Sequence, residues 1–375
     1  MAKKARPAID VEAAKARLST PTPRVPPIPP ADFVSLGLTV PNLAISGRTN
    51  CGIPKGKYLY YVGDSSSGKT FFSLGMAAEL ARNNHFDNYR IIYDASENGA
   101  LMDVPLYFGQ ALADRLEPPR GTREEPIYSR TVEEFYFNLD AAMDVGPCLY
   151  IEDSMDALIA AEDEERFVDA RAAYEKAIET GKPAPEVSGT YGMGKAKANS
   201  RNINRIVQRL QETGSILVVI SQTRDKIGGH IPNQKTRGGG RALRFYAHVE
   251  IWTSVRGPIR VTRVGKEREI GSMLQLDIQK NRISGWEGKI TVPFLRKLGL
   301  DEMGSLTNYL IDEGHWEKSK SGKITAPEFK FEGTAEALIG HIEETGAERE
   351  LQLLVGDVWH KIEAACAPVR KSRYS

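Results

Sequence analysis

One stretch restricts this chain more than any other: Gly63-Asp64-Ser65-Ser66-Ser67-Gly68-Lys69-Thr70, a complete G-x-x-x-x-G-K-[ST] pattern. An apolar and aromatic run over 58–62 precedes it and a helix-like run over 71–81 follows. Strand, glycine loop and helix in that order are what a phosphate-binding loop requires. The glycines let backbone N–H groups turn inward around a phosphate, and the helix N-terminus adds partial positive charge. Lys69 is then placed to reach the β- and γ-phosphates of a nucleotide, and the Thr70 hydroxyl to ligate Mg²⁺.

The chain around this loop has the matching period. Short aliphatic or aromatic runs at 58–62, 90–93, 148–152, 216–220 and 248–253 alternate with helix-like segments, and β-rich stretches follow at 273–279 and 289–294. The expected fold is α/β: a P-loop NTPase core, its mostly parallel sheet flanked by helices, with a small α+β C-terminal domain. A length of 375 residues with 41% hydrophobic content can bury such a core and one satellite. We expect the core at 36–297 and the small domain at 298–375, with helices near 306–313, 334–344 and 348–365. Residues 1–35 read as a short helix (11–18) and a proline-rich linker (21–30), an arm suited to oligomerisation.

Other classes drop out. The longest aliphatic run, 216–220, is far shorter than a membrane helix, and no apolar stretch follows Lys3 and Lys4, so a cytoplasmic protein without membrane contact is expected. Three cysteines without C-x-x-C spacing supply neither a disulfide framework nor a zinc site.

A phosphate loop needs an acidic partner for its metal, and Asp153 ends the apolar run 148–152. Hydrolysis needs a group to orient or activate water. Glu97, closing Tyr93-Asp94-Ala95-Ser96-Glu97, is placed for that work, and Gln222 after 216–220 is placed to report a γ-phosphate to the segment that follows. The formal net charge is only +1, yet between Lys195 and Lys297 about twenty lysines and arginines face about seven acids. Two parts of this region stand out. Lys195, Lys197, Arg201, Arg205 and Arg209 recur at mainly helical spacing, and a long glycine-rich loop runs from Arg224 to Arg241 with Lys226, Lys235 and Arg237. Taken alone each is a solvated face; beside a nucleotide switch, each suits a phosphodiester backbone.

With these residues in place, the sequence resembles the RecA/Rad51 family of recombinases. The resemblance is carried by Gly63 to Thr70, by Tyr93 to Glu97, by YIEDSMDAL (150–158), by SQTRDKIG (221–228), by GGGRALRFYAH (238–248) and by QKNR (279–282). It implies ATP and Mg²⁺ as cofactors, with Gly63, Asp64, Ser65, Ser66, Ser67, Gly68, Lys69 and Thr70 on the nucleotide. It further implies Asp153 with Thr70 at the metal, Glu97 as the catalytic carboxylate, Gln222 as the γ-phosphate sensor and Tyr107 against the adenine. Lys280 and Arg282 fall where the family has cations that reach a neighbouring subunit's γ-phosphate. The DNA contacts would come from the two basic stretches, with Ile231, Arg241 and Arg244 among them.

The implied activity is DNA-dependent ATP hydrolysis to ADP and phosphate, driving pairing and strand exchange between single-stranded DNA and a homologous duplex within a helical homo-oligomeric filament. A ring-forming helicase or translocase of similar fold, or an ATP-gated single-strand-binding mediator, are the alternatives. Three departures from the family pattern stand out: one extra residue before Glu97, an inserted charged segment at 163–179, and Ile231 at a position usually aromatic.

Overall fold

The computed structural model describes residues 27–97, 102–181, 193–225, 235–238 and 240–370. A ten-stranded sheet forms its centre. In chain order the strands are β1 (Tyr58–Gly63), β2 (Arg90–Asp94), β3 (Leu116–Glu117), β4 (Cys148–Glu152), β5 (Ile216–Asp225), β6 (Lys235–Arg237), β7 (Val249–Arg263), β8 (Lys266–Asn281), β9 (Gly288–Leu295) and β10 (Gly299–Leu300). In space they run β10-β9-β8-β7-β1-β5-β4-β2-β3, with β6 paired to β5. Every neighbour from β7 through β1, β5, β4 and β2 to β3 is parallel. The β7-β8-β9-β10 side is antiparallel.

The central strands read as unbroken apolar runs because both of their faces are covered. The pleat sends Leu59, Tyr61, Ile91, Leu149, Ile151, Val218 and Ile220 to one side, where they join Phe72, Met76 and Leu80 of the helix Lys69–Ala81. It sends Tyr58, Tyr60, Val62, Ile92, Tyr150, Leu217 and Val219 to the other. There they meet Phe135 and Leu139 of the helix Val132–Val145 and Ile203, Ile206 and Leu210 of the helix Met193–Thr213. This is the α/β architecture expected from the sequence.

The ribbon formed by β7 and β8 is much longer than the apolar runs 248–253 and 273–279 suggest. Past Thr253 it leaves the core and its residues are half-buried or exposed, so the apolar signal fades while backbone pairing continues to Arg263 and Lys266. The charged segment forms the surface helix Ala161–Thr180.

The C-terminal domain comprises the helices Glu302–Asp312, Ala335–Thr345 and Glu348–Cys366 and a three-stranded sheet spanning 317–333. Its Leu306, Trp316, Leu351 and Val355 belong to the same apolar cluster as one face of the central sheet. The helix Thr39–Ser46 has no cap from its own flank; the Glu302 carboxylate accepts the Thr39 N–H at 3.0 Å instead. The expected helix at 11–18 and the linker as far as residue 26 lie outside the described residues.

Candidate nucleotide-binding site

The ends of β1, β2, β4 and β5 meet at one edge of the sheet, where parallel α/β folds place their ligands. Gly68 takes φ 88°, and a Cβ there would stand 2.6 Å from Leu274 Cδ1, so only glycine fits. No side chain caps the helix Lys69–Ala81 that starts here, which leaves its first N–H groups for a ligand.

Lys69 is buried, and its Nζ donates to the carbonyls of Gly63 at 2.9 Å and Asp64 at 2.6 Å. Burial lowers its pKa, while the nearby Asp153 and Glu97 pull it back up. Thr70 Oγ1 donates to Asp153 Oδ2 at 2.7 Å, and the Tyr93 hydroxyl donates to the same oxygen at 2.9 Å. Burial raises the Asp153 carboxyl above its usual range; those two hydrogen bonds oppose the rise.

Thr70 and Asp153 therefore present hard oxygens side by side, the donor chemistry that suits Mg²⁺. Among the described residues no group of three or more His, Cys, Asp or Glu gathers as a metal cage. Mg²⁺ characteristically takes only one or two protein oxygens and completes its shell with water and phosphate, so the pair fits that cation.

Across the loop, Glu97 Oε1 accepts from Gln222 Nε2 at 2.7 Å and from the Ser154 hydroxyl. The structure thus brings Lys69, Thr70, Asp153, Glu97 and Gln222 around one cavity of about 430 Å³, which Ser65, Ser66, Ser67 and Gly68 also line. Asp64 bonds the Thr223 hydroxyl, and Ser67 donates to the Asp64 carbonyl at 2.7 Å; both hold the loop to its neighbours. Tyr107 stands beside this cavity: its hydroxyl donates to the Arg296 carbonyl at 2.7 Å, and Arg296 lines the cavity.

The remaining sequence candidates lie apart. Lys280 pairs in register with Glu250, next to Val249, which pairs with Leu59; this is the end of β1 remote from the phosphate loop. Lys280 Nζ donates to the carbonyls of Arg244 and Phe245, and Arg282 to that of Phe245.

On the helix Met193–Thr213 the basic side chains diverge. Lys195 Nζ donates inward to the carbonyls of Met155 and Asp156, Lys197 pairs with Glu162, and Arg205 and Arg209 pair with Asp140. Arg201 is exposed, as are Arg241 and Arg244, the last also bonded to buried Glu250 at 3.0 Å. Arg224, Lys235 and Arg237 are described in backbone only, in the β5–β6 pair; Lys226 and Ile231 lie outside the described residues.

Sequence reasoning missed three residues of this neighbourhood. Ser96, the residue before Glu97, donates to the buried Glu152 at 2.6 Å. Asp156, three positions beyond Asp153, accepts from the Ser221 hydroxyl at 2.5 Å and from the Gln222 N–H at 2.6 Å. Glu152 reads as a strand residue and Asp156 as a turn residue; only their partners, distant in sequence, give them meaning.

Comparison with known proteins points the same way. The family model described as RecA N-terminal domain matches residues 169–298, a span holding Gln222, Lys280 and Arg282 but not the phosphate loop. The protein named Protein RecA from Rubrobacter xylanophilus is 26% identical over 275 residues, covering 72% of this chain and 68% of that one. Protein RecA from Streptococcus pneumoniae strain Hungary19A-6 is 24% identical over 285 residues, covering 73% of this chain and 64% of its own length. The phosphate loop, the parallel sheet and these matches together make the chain similar to RecA proteins, with residues 169–298 matching the RecA N-terminal domain.

Proposed function

We propose that this chain is an ATP-dependent DNA recombinase, which polymerises on single-stranded DNA with ATP at each protomer interface and pairs that strand with a homologous duplex. The observation that carries the reading is the contact with Glu97 of Gln222, three residues before the end of β5, the strand that leads directly into the basic glycine-rich loop. A group touching the γ-phosphate there is one residue away from chain that pairs with β6 on the loop's far side.

Mg²⁺ would neutralise phosphate charge between Thr70 and Asp153. Lys69, drawn from its loop carbonyls, would bind the β- and γ-oxygens. Glu97, held by Gln222 and Ser154, would orient the attacking water and accept its proton at Oε1 or Oε2. Tyr107 and Arg296 stand where a base would rest beside the cavity. Because Lys280 and Arg282 sit at the far end of the sheet, they serve a phosphate only in a neighbouring protomer. A head-to-tail contact of that kind yields a helix when its rotation does not close. Sequence would be read by base pairing, and the protein would hold backbones through its cations.

The test is electron microscopy of the protein on single-stranded DNA with a slowly hydrolysed ATP analogue, together with strand-exchange assays of wild type and Lys69→Ala. Nucleotide-dependent helical filaments, and exchange lost in Lys69→Ala, are expected. Closed rings would identify a motor, and isolated particles without strand exchange a mediator.

A further inference from the structure

Asp156 lies within YIEDSMDAL but has no part in the phosphate, metal or water-activating roles assigned above, yet three elements converge on it. Its Oδ2 accepts both the Ser221 hydroxyl at 2.5 Å and the Gln222 backbone N–H at 2.6 Å. Its turn is pinned to the same strand through the Met155 N–H, which donates to the Ile220 carbonyl at 2.9 Å. From the far side of the basic loop, Gly238 packs so closely that a Cβ there would collide with Asp156 Oδ1. From the start of the helix Met193–Thr213, Lys195 Nζ sits on the carbonyls of Met155 and Asp156 at 3.1 and 3.0 Å. One carboxylate thus touches the backbone of the residue whose side chain holds Glu97, and also the exit of the second basic stretch. Its own turn seats the first.

We propose that Asp156 is a positioning residue that makes the conformation of Gln222 and the placement of Gly238 a single variable, so that nucleotide state is transmitted to the basic surface. This rests on the nucleotide-site reading given above. The physical basis is the short, two-bond grip on Oδ2. If Gln222 turns its side chain from Glu97 toward a γ-phosphate, its N–H reorients, the carboxylate must follow, and Gly238 loses or gains the surface it packs on. Close-packed contacts of this kind have discrete arrangements rather than a continuum. Gly238 is not in the left-handed region, so an alanine there is opposed by its close approach to Asp156 and not by backbone strain.

A double-mutant cycle tests this. The readout is the coupling ratio, the affinity for a fluorescent single-stranded oligonucleotide with an ATP analogue divided by that without it. Asp156→Ala and Gly238→Ala should each lower the ratio at least tenfold. The double variant should match the single ones, because the methyl group no longer meets a carboxylate. A ratio within twofold of wild type in either single variant, or a double loss equal to the product of the single losses, overturns the proposal.

Amide hydrogen exchange of 221–225 and 235–241, with and without analogue and in the absence of DNA, separates this from the recombinase reading. If wild type does not bind DNA but its exchange responds to nucleotide through Asp156, the relay stands and the recombinase reading falls. If exchange responds equally in Asp156→Ala, or wild type shows no response, the relay is refuted.

Discussion

Ser96 Oγ donates a 2.6 Å hydrogen bond to Glu152 Oε1, on a carboxyl wholly enclosed within the sheet. Ser96 is turned back onto β4, and Glu97, next in the chain, takes its N–H to the Asp153 carbonyl and its carboxylate to Gln222.

Removing that hydroxyl should therefore disturb catalysis without disturbing nucleotide binding. Ser96→Ala leaves Glu152 without its donor, a cost of about 1–3 kcal/mol in stability, and loosens Glu97. If Glu97 orients the attacking water as proposed, kcat for ATP should fall roughly tenfold with KM within about twofold. A steady-state titration decides it; an unchanged kcat removes Ser96 from any positioning role.

Glu152 itself should be neutral. Burial pushes its carboxyl well above the ordinary 4.5, with Asp94 adding to the rise. A raised folded pKa means its contribution to stability is complete below 4.5 and is lost as pH climbs, at up to about 1.4 kcal/mol per pH unit. Glu152→Gln, a neutral replacement of the same shape, should gain stability relative to wild type between pH 5 and 8. Urea unfolding at both pH values measures it.

Two other groups give opposite pH trends. His248 Nδ1 accepts the Tyr58 N–H at 3.1 Å, and burial followed by nearby Lys57, Arg282 and Lys280 lowers its pKa to about 4. Its contribution is present above the usual 6.5 and lost as pH falls toward 4. Glu302, half-buried where the C-terminal domain meets the helix Thr39–Ser46, is raised to about 7 by desolvation, so its contribution is lost as pH rises from 4.5 toward 7. Relative to wild type, Glu302→Gln should therefore gain stability with rising pH, and His248→Asn should lose it. Each difference should amount to about 3 kcal/mol at most. Chemical denaturation across pH 4.5–7 checks both, and a pH-independent difference would sink either assignment.

What the sequence disclosed of this site, and what it hid, follows from the range of the interactions. Gly68, Lys69 and Thr70 were legible because the loop is local: a strand, a turn and a helix within a few residues of one another. Asp153, Glu97 and Gln222 were legible because each follows an apolar run within a few residues, and parallel strands deliver the ends of those runs to one edge. Ser96, Glu152 and Asp156 were not, since their partners lie 56, 56 and 65 residues away and no period marks them. The basic stripe on the helix Met193–Thr213 read as one surface, yet Asp140 and Asp144, on another helix, engage two of its arginines. The β7–β8 ribbon escaped because solvent on both sides removes the hydrophobic pattern while leaving the ladder intact.

At the metal, the hydroxyl of Thr70 should matter and its methyl should not. Thr70→Ser keeps the oxygen beside Asp153 and should retain ATPase activity within about fivefold. Thr70→Val keeps the shape and loses the donor, and should cost roughly a hundredfold in Mg²⁺-dependent hydrolysis. Melting of the nucleotide-free variants provides the control: both should unfold close to wild type if the loss is in metal binding. A Val variant as active as the Ser variant would remove Thr70 from the metal.

The position of Lys280 and Arg282 gives a test that mixes proteins rather than altering one. A protomer carrying Lys280→Ala and Arg282→Ala keeps a complete phosphate loop, and one carrying Asp153→Asn keeps both cations at the opposite end of its sheet. If these cations act across the interface, each protein alone has no complete site. An equimolar mixture forms one wherever the first presents its loop to the cations of the second. With random incorporation in a head-to-tail assembly, about a quarter of interfaces are complete, so ATPase should return to about a quarter of wild type. Were the cations to serve their own pocket, no arrangement of the two chains could restore a site, and the mixture would remain as inactive as its components.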